Sequence, residues 1–373
     1  MQKLIKKINK IAEEIGREVR LMEVCGTHTQ AVSRFGIREI LPKNIKLITG
    51  PGCPVCVTAQ RDIDAIINLA LAGVPVATYG DMLRVPGYFG SLDQAREKGA
   101  QVFDVYSVAD ALALQKNYPD LVFFGLGFET TTPMTAWGIK NGLTVYSAHK
   151  VFLPAMEALL KMGKTCPAFF VDVKNQQKTE IINVFKIKSN DETKRCGIDG
   201  FIDPGHVSAV IGTAPYEKLK VPQVITGFEM QDVLEGILLL LIQIKNKDLT
   251  VVNQYSRVVK NDGNKNIRKL IEEVFETSYG DWRGFGVIAG SGLKIKDKYK
   301  KFDAQVKYKK ILDKIDFSHS KDPAGCKCGD VIRGLMEPKQ CPMFGRTCNP
   351  DNPVGPCMVS VEGACSILYR YKK

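Results

Sequence analysis

Short apolar, β-branched runs recur along this chain, separated by stretches whose apolar positions repeat every three or four residues. "VRLMEV", "IKLITG", "VPVATYG", "AQVFDVYS" and "LVFFGLG" read as strands; near-continuous apolar runs of this length suit strands covered on both faces. Between them, "TAQRDIDAIINLALAG" (58–73) and "SVADALALQKNY" (107–118) read as helices. A second series follows: the strand "LTVYSAH", the helix "KVFLPAMEALLKMG", the strands "PAFFVDV", "GFIDPG" and "PQVITG", and the helix "MQDVLEGILLLLIQIK". Such alternation predicts βαβ units and mostly parallel sheets. Leu4, Ile8, Ile11 and Ile15 fall on one face of an N-terminal helix, expected to pack on the body. The apolar run Ile237 to Ile242 is far too short to cross a bilayer and reads as a buried helix.

From about Lys294 the alternation is lost. A lysine-rich stretch, expected to be helical, leads into a tail dominated by glycine, proline and cysteine, with no element long enough to make its own core. "GFETTTP" at Gly127 and "GFEMQD" at Gly227 each follow an apolar strand, which suggests two similar halves. The expected fold is therefore α/β, with two similar Rossmann-like parallel-sheet domains and a small cysteine-rich domain. Residues 1–17 would be a helix packed on the body, 18–145 the first α/β domain, 146–293 the second, and 294–373 the lysine-rich helix and cysteine-rich domain.

At 373 residues, 45% hydrophobic and 25% charged, the composition is that of an ordinary soluble protein. The net charge of +12 comes largely from lysine, much of it between Leu293 and Asp316. No nucleic-acid recognition motif accompanies that basic run, so a solvated face or a docking surface for an acidic protein is expected there. The N-terminus lacks the continuous apolar region of a secretory signal, and a cytoplasmic protein is expected. Cysteine changes the picture most: there are eleven, six of them in the last 48 residues. In a cytosolic chain this argues for metal or redox chemistry over a disulfide framework.

The unusual residues cluster in turns after strands. These are Cys25-Gly26-Thr27-His28, Pro51-Gly52-Cys53, Gly127-Phe128-Glu129, Pro204-Gly205-His206 and Gly227-Phe228-Glu229. Ligands of open α/β sheets bind at the carboxyl ends of the strands, so these turns are expected to share one site. "CPVC" places Cys53 and Cys56 at the start of a helix, where a small-loop disulfide can form and the helix dipole favours thiolate. C-x-x-C is also half a zinc knuckle, but the chain has no second one, which favours redox. In "CGTHT", Cys25 offers a soft thiolate and His28 an imidazole, as ligand or proton-managing neighbour; Thr27 or Thr29 could cap the following helix. In "GFETTTP", Thr131 or Thr132 suits a helix cap and Pro133 the first turn. A cap does not explain Glu129, a candidate proton carrier. His206 reads equally as structural or functional, and Cys166 and Cys196 as ordinary thiols. The tail cysteines, Cys326, Cys328, Cys341, Cys348, Cys357 and Cys365, are too irregularly spaced for the close pairs of structural zinc. They fit better as ligands of a cubane iron–sulfur cluster.

Taken together, "CGTHT", "GPGCPVC", "GFETTT", "PGHVS" and the cysteine-rich tail closely resemble the HypD family of hydrogenase maturation proteins, over about Glu23 to Cys365. The resemblance implies a factor that helps build the Fe(CN)2CO unit of [NiFe] hydrogenases, working with the small chaperone HypC and receiving cyanide from HypE. By this likeness Cys25 is the iron ligand with His28 beside it, and Cys53 and Cys56 are the redox pair. Glu129, Thr27, Thr130 and Thr131 would surround the bound ligands. A [4Fe–4S] cluster would sit on four tail cysteines, taken as Cys328, Cys341, Cys348 and Cys365, with Cys326 and Cys357 as alternatives.

Overall fold

The computed structural model describes residues 1–162 and 197–371. Within them the strands are β1 (Val19–Glu23), β2 (Ile45–Thr49), β3 (Val76–Thr78), β4 (Val102–Asp104), β5 (Val122–Gly125), β6 (Thr144–Ser147), β7 (Gly200–Pro204), β8 (Gln223–Thr226), β9 (Val251–Asn253), β10 (Phe275–Trp282) and β11 (Gly286–Ile295). They form a five-stranded sheet in the order β2-β1-β7-β8-β9, a four-stranded sheet in the order β4-β3-β5-β6, and the hairpin β10-β11. Both larger sheets are parallel throughout. The expected α/β class with two parallel sheets and a cysteine-rich tail is borne out.

The strands do not divide at residue 145. β1 pairs with β2 on one side and with β7 on the other, Leu21 lying opposite Gly200, so the first sheet draws on both expected domains. The second sheet is contiguous in sequence, from β3 to β6. The crossing follows from burial: four of the five β1 residues are buried, so the strand needs a neighbour on each edge, while the helix Gln60–Leu71 carries the chain over to β3. Met22 and Phe201 face a core shared with Val76, Val122 and Phe124 of the second sheet. Leu21, Ile202 and Val224 face the other way, against the helices Gln2–Ile15 and Met230–Asn246. Ile8 and Ala12 of the N-terminal helix are fully buried there, and Lys245 pairs with Glu14 at 2.8 Å.

The hairpin was not foreseen, because its glycine-rich second strand hides the alternation. Its turn is anchored by Trp282 and Phe285, both buried. The lysine-rich run does not make the expected long helix. β11 takes it as far as Ile295, and then come a 3-10 segment, Asp297–Phe302, and the one-turn helices Ala304–Lys307 and Lys309–Leu312. The Asp303 carboxylate accepts the Gln305 N–H and restarts the chain there. The expected strand "PAFFVDV" and the thiols Cys166 and Cys196 lie outside the described residues. Among the described residues no helix is long and apolar enough to cross a membrane.

Candidate functional site

Because β1, β2, β7 and β8 run parallel in one sheet, the turns that follow them emerge at one edge. "CGTHT" leaves β1, "GPGCPVC" leaves β2, and His206 and the second "GFE" follow β7 and β8. Cys25, 3% exposed, is the N-cap residue of the helix Gly26–Arg34. The Gly26 N–H donates to the Gly52 carbonyl at 3.3 Å, and a Cβ on Gly52 would fall within the Cys25 backbone. Only glycine permits this approach, so the two cysteine turns are one unit.

Neither Thr27 nor Thr29 caps that helix through its side chain. Thr29 donates back to the Cys25 carbonyl at 3.3 Å, and Thr27 to Glu362 Oε1 at 3.4 Å. Glu362 reaches in from the tail: a Cβ on Gly26 would stand 2.6 Å from its own Cβ. Burial, and then the Glu362 carboxylate, push the Cys25 thiol up to about 12, so without metal it is protonated at neutral pH.

The imidazole within reach of Cys25 is His206, whose Nε2 lies 3.8 Å from Sγ, and not His28. Three residues along the helix, His28 points across to β8. Its Nε2 meets Gly227 O at 2.9 Å and Thr226 Oγ1 at 2.8 Å, and Nδ1 has no hydrogen-bond partner. Burial lowers both imidazoles to about 4, so both are neutral. Phe228 lies between them, 4.7 Å from the His28 ring and 5.1 Å from the His206 ring. His28 thus anchors the turn that positions His206.

Cys53 and Cys56 form a disulfide, with Cα atoms 5.3 Å apart. Cys53 is the N-cap of the helix Pro54–Val57, its Sγ accepting the Cys56 N–H at 3.2 Å, and both residues are buried.

Glu129 follows β5 of the second sheet. Its Oε1 accepts the Phe152 N–H at 3.0 Å, while Oε2 is buried without a partner. Burial pushes this carboxyl up to about 7. Phe128 beside it stacks on Trp282, with centroids 5.9 Å apart, and Trp282 bridges to Thr58 just past the disulfide. The Thr131 hydroxyl lies 3.3 Å from Phe128 O and 3.4 Å from Leu126 O, so its donor is committed to backbone; Thr130 is half-buried. Thr131 is nonetheless the N-cap residue by position, with Pro133 in the first turn. The second "GFE" does not repeat this chemistry: Glu229 is exposed and caps the helix Met230–Asn246 in a box with Asp232.

Asp203, at the end of β7, escaped the sequence reading. It is fully buried, neither carboxylate oxygen has a hydrogen-bond partner, and burial holds it well above the usual carboxylate range. Its signal was an acid inside the apolar strand "GFIDPG". The Tyr216 hydroxyl lies 2.9 Å from Ser208 Oγ, on the helix Gly205–Ile211 that follows Asp203, and burial holds it well above the ordinary phenol range.

All six tail cysteines line one cavity of about 20 Å³, walled also by Val331, Met343 and Val354. Cys328 Sγ lies 2.7 Å from Cys357 Sγ, and Gly355 leaves room for Cys326. Cys326 and Cys357 therefore accompany Cys328, Cys341, Cys348 and Cys365. The thiols are packed on one another: among the described residues no group of three or more His, Cys, Asp or Glu side chains has the arrangement of a metal-ion site. As a donor set, six sulfurs on glycine- and proline-rich loops in an apolar cavity fit an iron–sulfur cluster. Gly329 packs on Gly284 of the hairpin, so its absent side chain serves that contact. The helices Cys328–Ile332 and Pro356–Val359 rest on the disulfide helix, and Ala364–Arg370 rests on the helix that follows Cys25. A larger cavity of about 420 Å³ beside β2, lined by Arg20, Arg38, Lys46 and Glu337 among others, contains none of these thiols.

The HypD family model, described as the hydrogenase formation hypA family, matches residues 1–372. The chain is 40% identical to the hydrogenase maturation factor HypD2 of Bradyrhizobium diazoefficiens, over 94% of this chain and 89% of that one. It is 38% identical to the hydrogenase maturation factor HypD of Cupriavidus necator, over 95% and 90% of the two chains. It is also 38% identical to that of Escherichia coli, over 96% and 90%. With the thiol turns on one sheet edge and the cysteine-lined cavity against them, the chain belongs to the HypD family of hydrogenase maturation factors.

Proposed function

We propose that this protein is the iron-binding scaffold and redox component in assembly of the Fe(CN)2CO centre of [NiFe] hydrogenase, acting in the cytoplasm with a HypC-type small chaperone and a HypE-type cyanide donor. The observation that carries the reading is contiguity. Gly52 joins Cys25 to the disulfide turn, Glu362 joins Cys25 to the tail, and the disulfide helix lies against the cysteine-lined cavity.

Cys25 takes the incoming iron through Sγ and gives up its proton as it does so; soft sulfur suits iron that carries cyanide and carbon monoxide. Burial keeps competing water from that position. The Cys53–Cys56 disulfide accepts two electrons and two protons to become a dithiol, a two-electron store beside the iron. A [4Fe–4S] cluster held by four of the tail thiols, with Cys328, Cys341, Cys348 and Cys365 as the assigned set, would supply electrons one at a time. Glu129, protonated up to about pH 7, holds a proton at Oε2 that it can donate to bound cyanide. Thr27 holds Glu362 over the Cys25 turn.

The test is co-expression of the chain with its two partners, followed by infrared spectroscopy of the purified complex for cyanide and carbon monoxide stretches. The wild type is expected to show both. C25A is expected to lose them while keeping iron–sulfur absorption, and C53A to lose the cyanide bands. Normal bands in C25A would overturn the reading and leave a stand-alone thiol–disulfide reductase, which needs Cys53 and Cys56 but not Cys25.

A further inference from the structure

The hairpin turn at Trp282–Gly286 lies between the two thiol centres. The Arg283 N–H donates to the carbonyl of Val57, the residue after Cys56, at 2.9 Å. Gly284 abuts Gly329, the residue after Cys328: a Cβ on Gly284 would stand 2.7 Å from the Gly329 Cα. The Arg283 side chain is fully buried. It donates to Gln60 Oε1 at 3.0 Å and pairs with Asp322, and its Nε–H is buried without a hydrogen-bond partner. A buried guanidinium with an unused donor is costly, and simple packing does not call for one. Asp322 is 40% exposed, so water screens its charge more than that of the cation, and a net positive field remains inside the protein. Asp322, its ion-pair partner, lies four residues before Cys326, and Gly329, against which Gly284 packs, follows Cys328, so both contacts set the hairpin turn against this side of the cavity.

We infer that Arg283 is a positioning residue for the cysteine-lined cavity: it supplies the buried positive charge that raises the reduction potential of an anionic iron–sulfur group held there, on the side facing the disulfide helix. The inference rests on the cluster reading proposed above. A cluster on four thiolates is anionic and becomes more so on gaining an electron, so a nearby buried cation stabilises the reduced form.

The experiment uses the full chain, reconstituted anaerobically with ferrous iron and sulfide, as wild type, R283M, R283K and D322N. It reads iron and sulfide content and the midpoint potential of the visible band. R283M is expected to keep its iron and to show a tenfold fall in the equilibrium constant for reduction, about 60 mV for one electron. R283K should recover most of that shift. D322N, which removes the screened counter-charge and leaves Arg283 in place, should shift the potential upward. A fully loaded R283M at the wild-type potential overturns the inference. So does R283K displaced as far as R283M, or D322N moving downward, since a structural role alone predicts those results. If R283M does not fold, R283Q, which also removes the charge but keeps hydrogen-bond donors, is read in its place against R283K. A wild type that takes up neither iron nor sulfide overturns the cluster reading and this inference with it; wrong-signed shifts in a loaded protein overturn this inference alone.

Discussion

Glu129 gives the sharpest quantitative test of the site. Its carboxyl is held at about 7 against an ordinary 4.5, because burial outweighs the backbone N–H donors, Phe152 among them, that favour the charged form, and one oxygen has no partner. The folded state therefore keeps a proton that the unfolded chain releases. Stability contributed by this group is whole below the unfolded value and is lost as pH rises through the folded one. With those two values the penalty is about 1 kcal/mol at pH 5 and about 3 kcal/mol at pH 8.5. E129Q keeps the shape and can still accept the Phe152 N–H, but has no proton to lose. It should gain on the wild type by roughly 2 to 3 kcal/mol between pH 5 and pH 8.5, read from urea unfolding at the two pH values. The same variant should fail to assemble the iron centre. Parallel stability profiles for the two proteins would refute the buried-acid argument, and normal assembly by E129Q would refute the proton role.

Asp203 should behave in the same sense: D203N is expected to raise the melting temperature at pH 8 and to change it little near pH 4.5, and a lower melting temperature at pH 8 would contradict the absence of partners at its carboxylate. G52A should cost about 3 kcal/mol or displace Cys25, because the new methyl meets backbone. G80A, where nothing lies within 4 Å of the added carbon, is the control, and equal melting temperatures for the two would sink the close-approach argument. Removing Arg38 strands the buried Glu23 carboxylate, which it holds at 2.8 Å, so R38A should cost about 3 kcal/mol. Burial already raises the Glu23 pKa against the pull of Arg38, and without Arg38 the folded carboxyl must keep its proton. The R38A loss should therefore be larger at pH 8 than at pH 5, as chemical denaturation at both would show.

The strands and the site-bearing turns were legible because each apolar run ends in glycine, proline or a polar cluster, which are local signals. The partition of strands between sheets was not, since the pairing of β1 with β7 joins residues far apart in sequence and no local pattern encodes it. His206 and His28 illustrate the same limit. Both follow strands, but only the register of β7 beside β1, and the turn of the helix that carries His28, decide which imidazole meets Cys25. The two "GFE" turns looked alike, and burial separates them: Glu129 is buried, while Glu229 caps a helix at the surface. In the tail, irregular cysteine spacing argued against structural zinc but could not show that all six thiols converge. The hairpin carrying Arg283 was missed because glycines at 284, 286, 290 and 292 mask a strand pattern that only pairing with β10 completes.

The proposed redox centre in the cysteine-lined cavity, serving Cys25 and the disulfide, has a direct signature in metal content and colour. The first experiment is therefore anaerobic purification of this chain alone, with iron, zinc and sulfide analysis and a visible spectrum. About four irons and four sulfides per chain are expected, with a broad band near ~400 nm that dithionite bleaches and that C25A retains. One zinc per chain and no colour would contradict that reading and leave the tail as a structural clip.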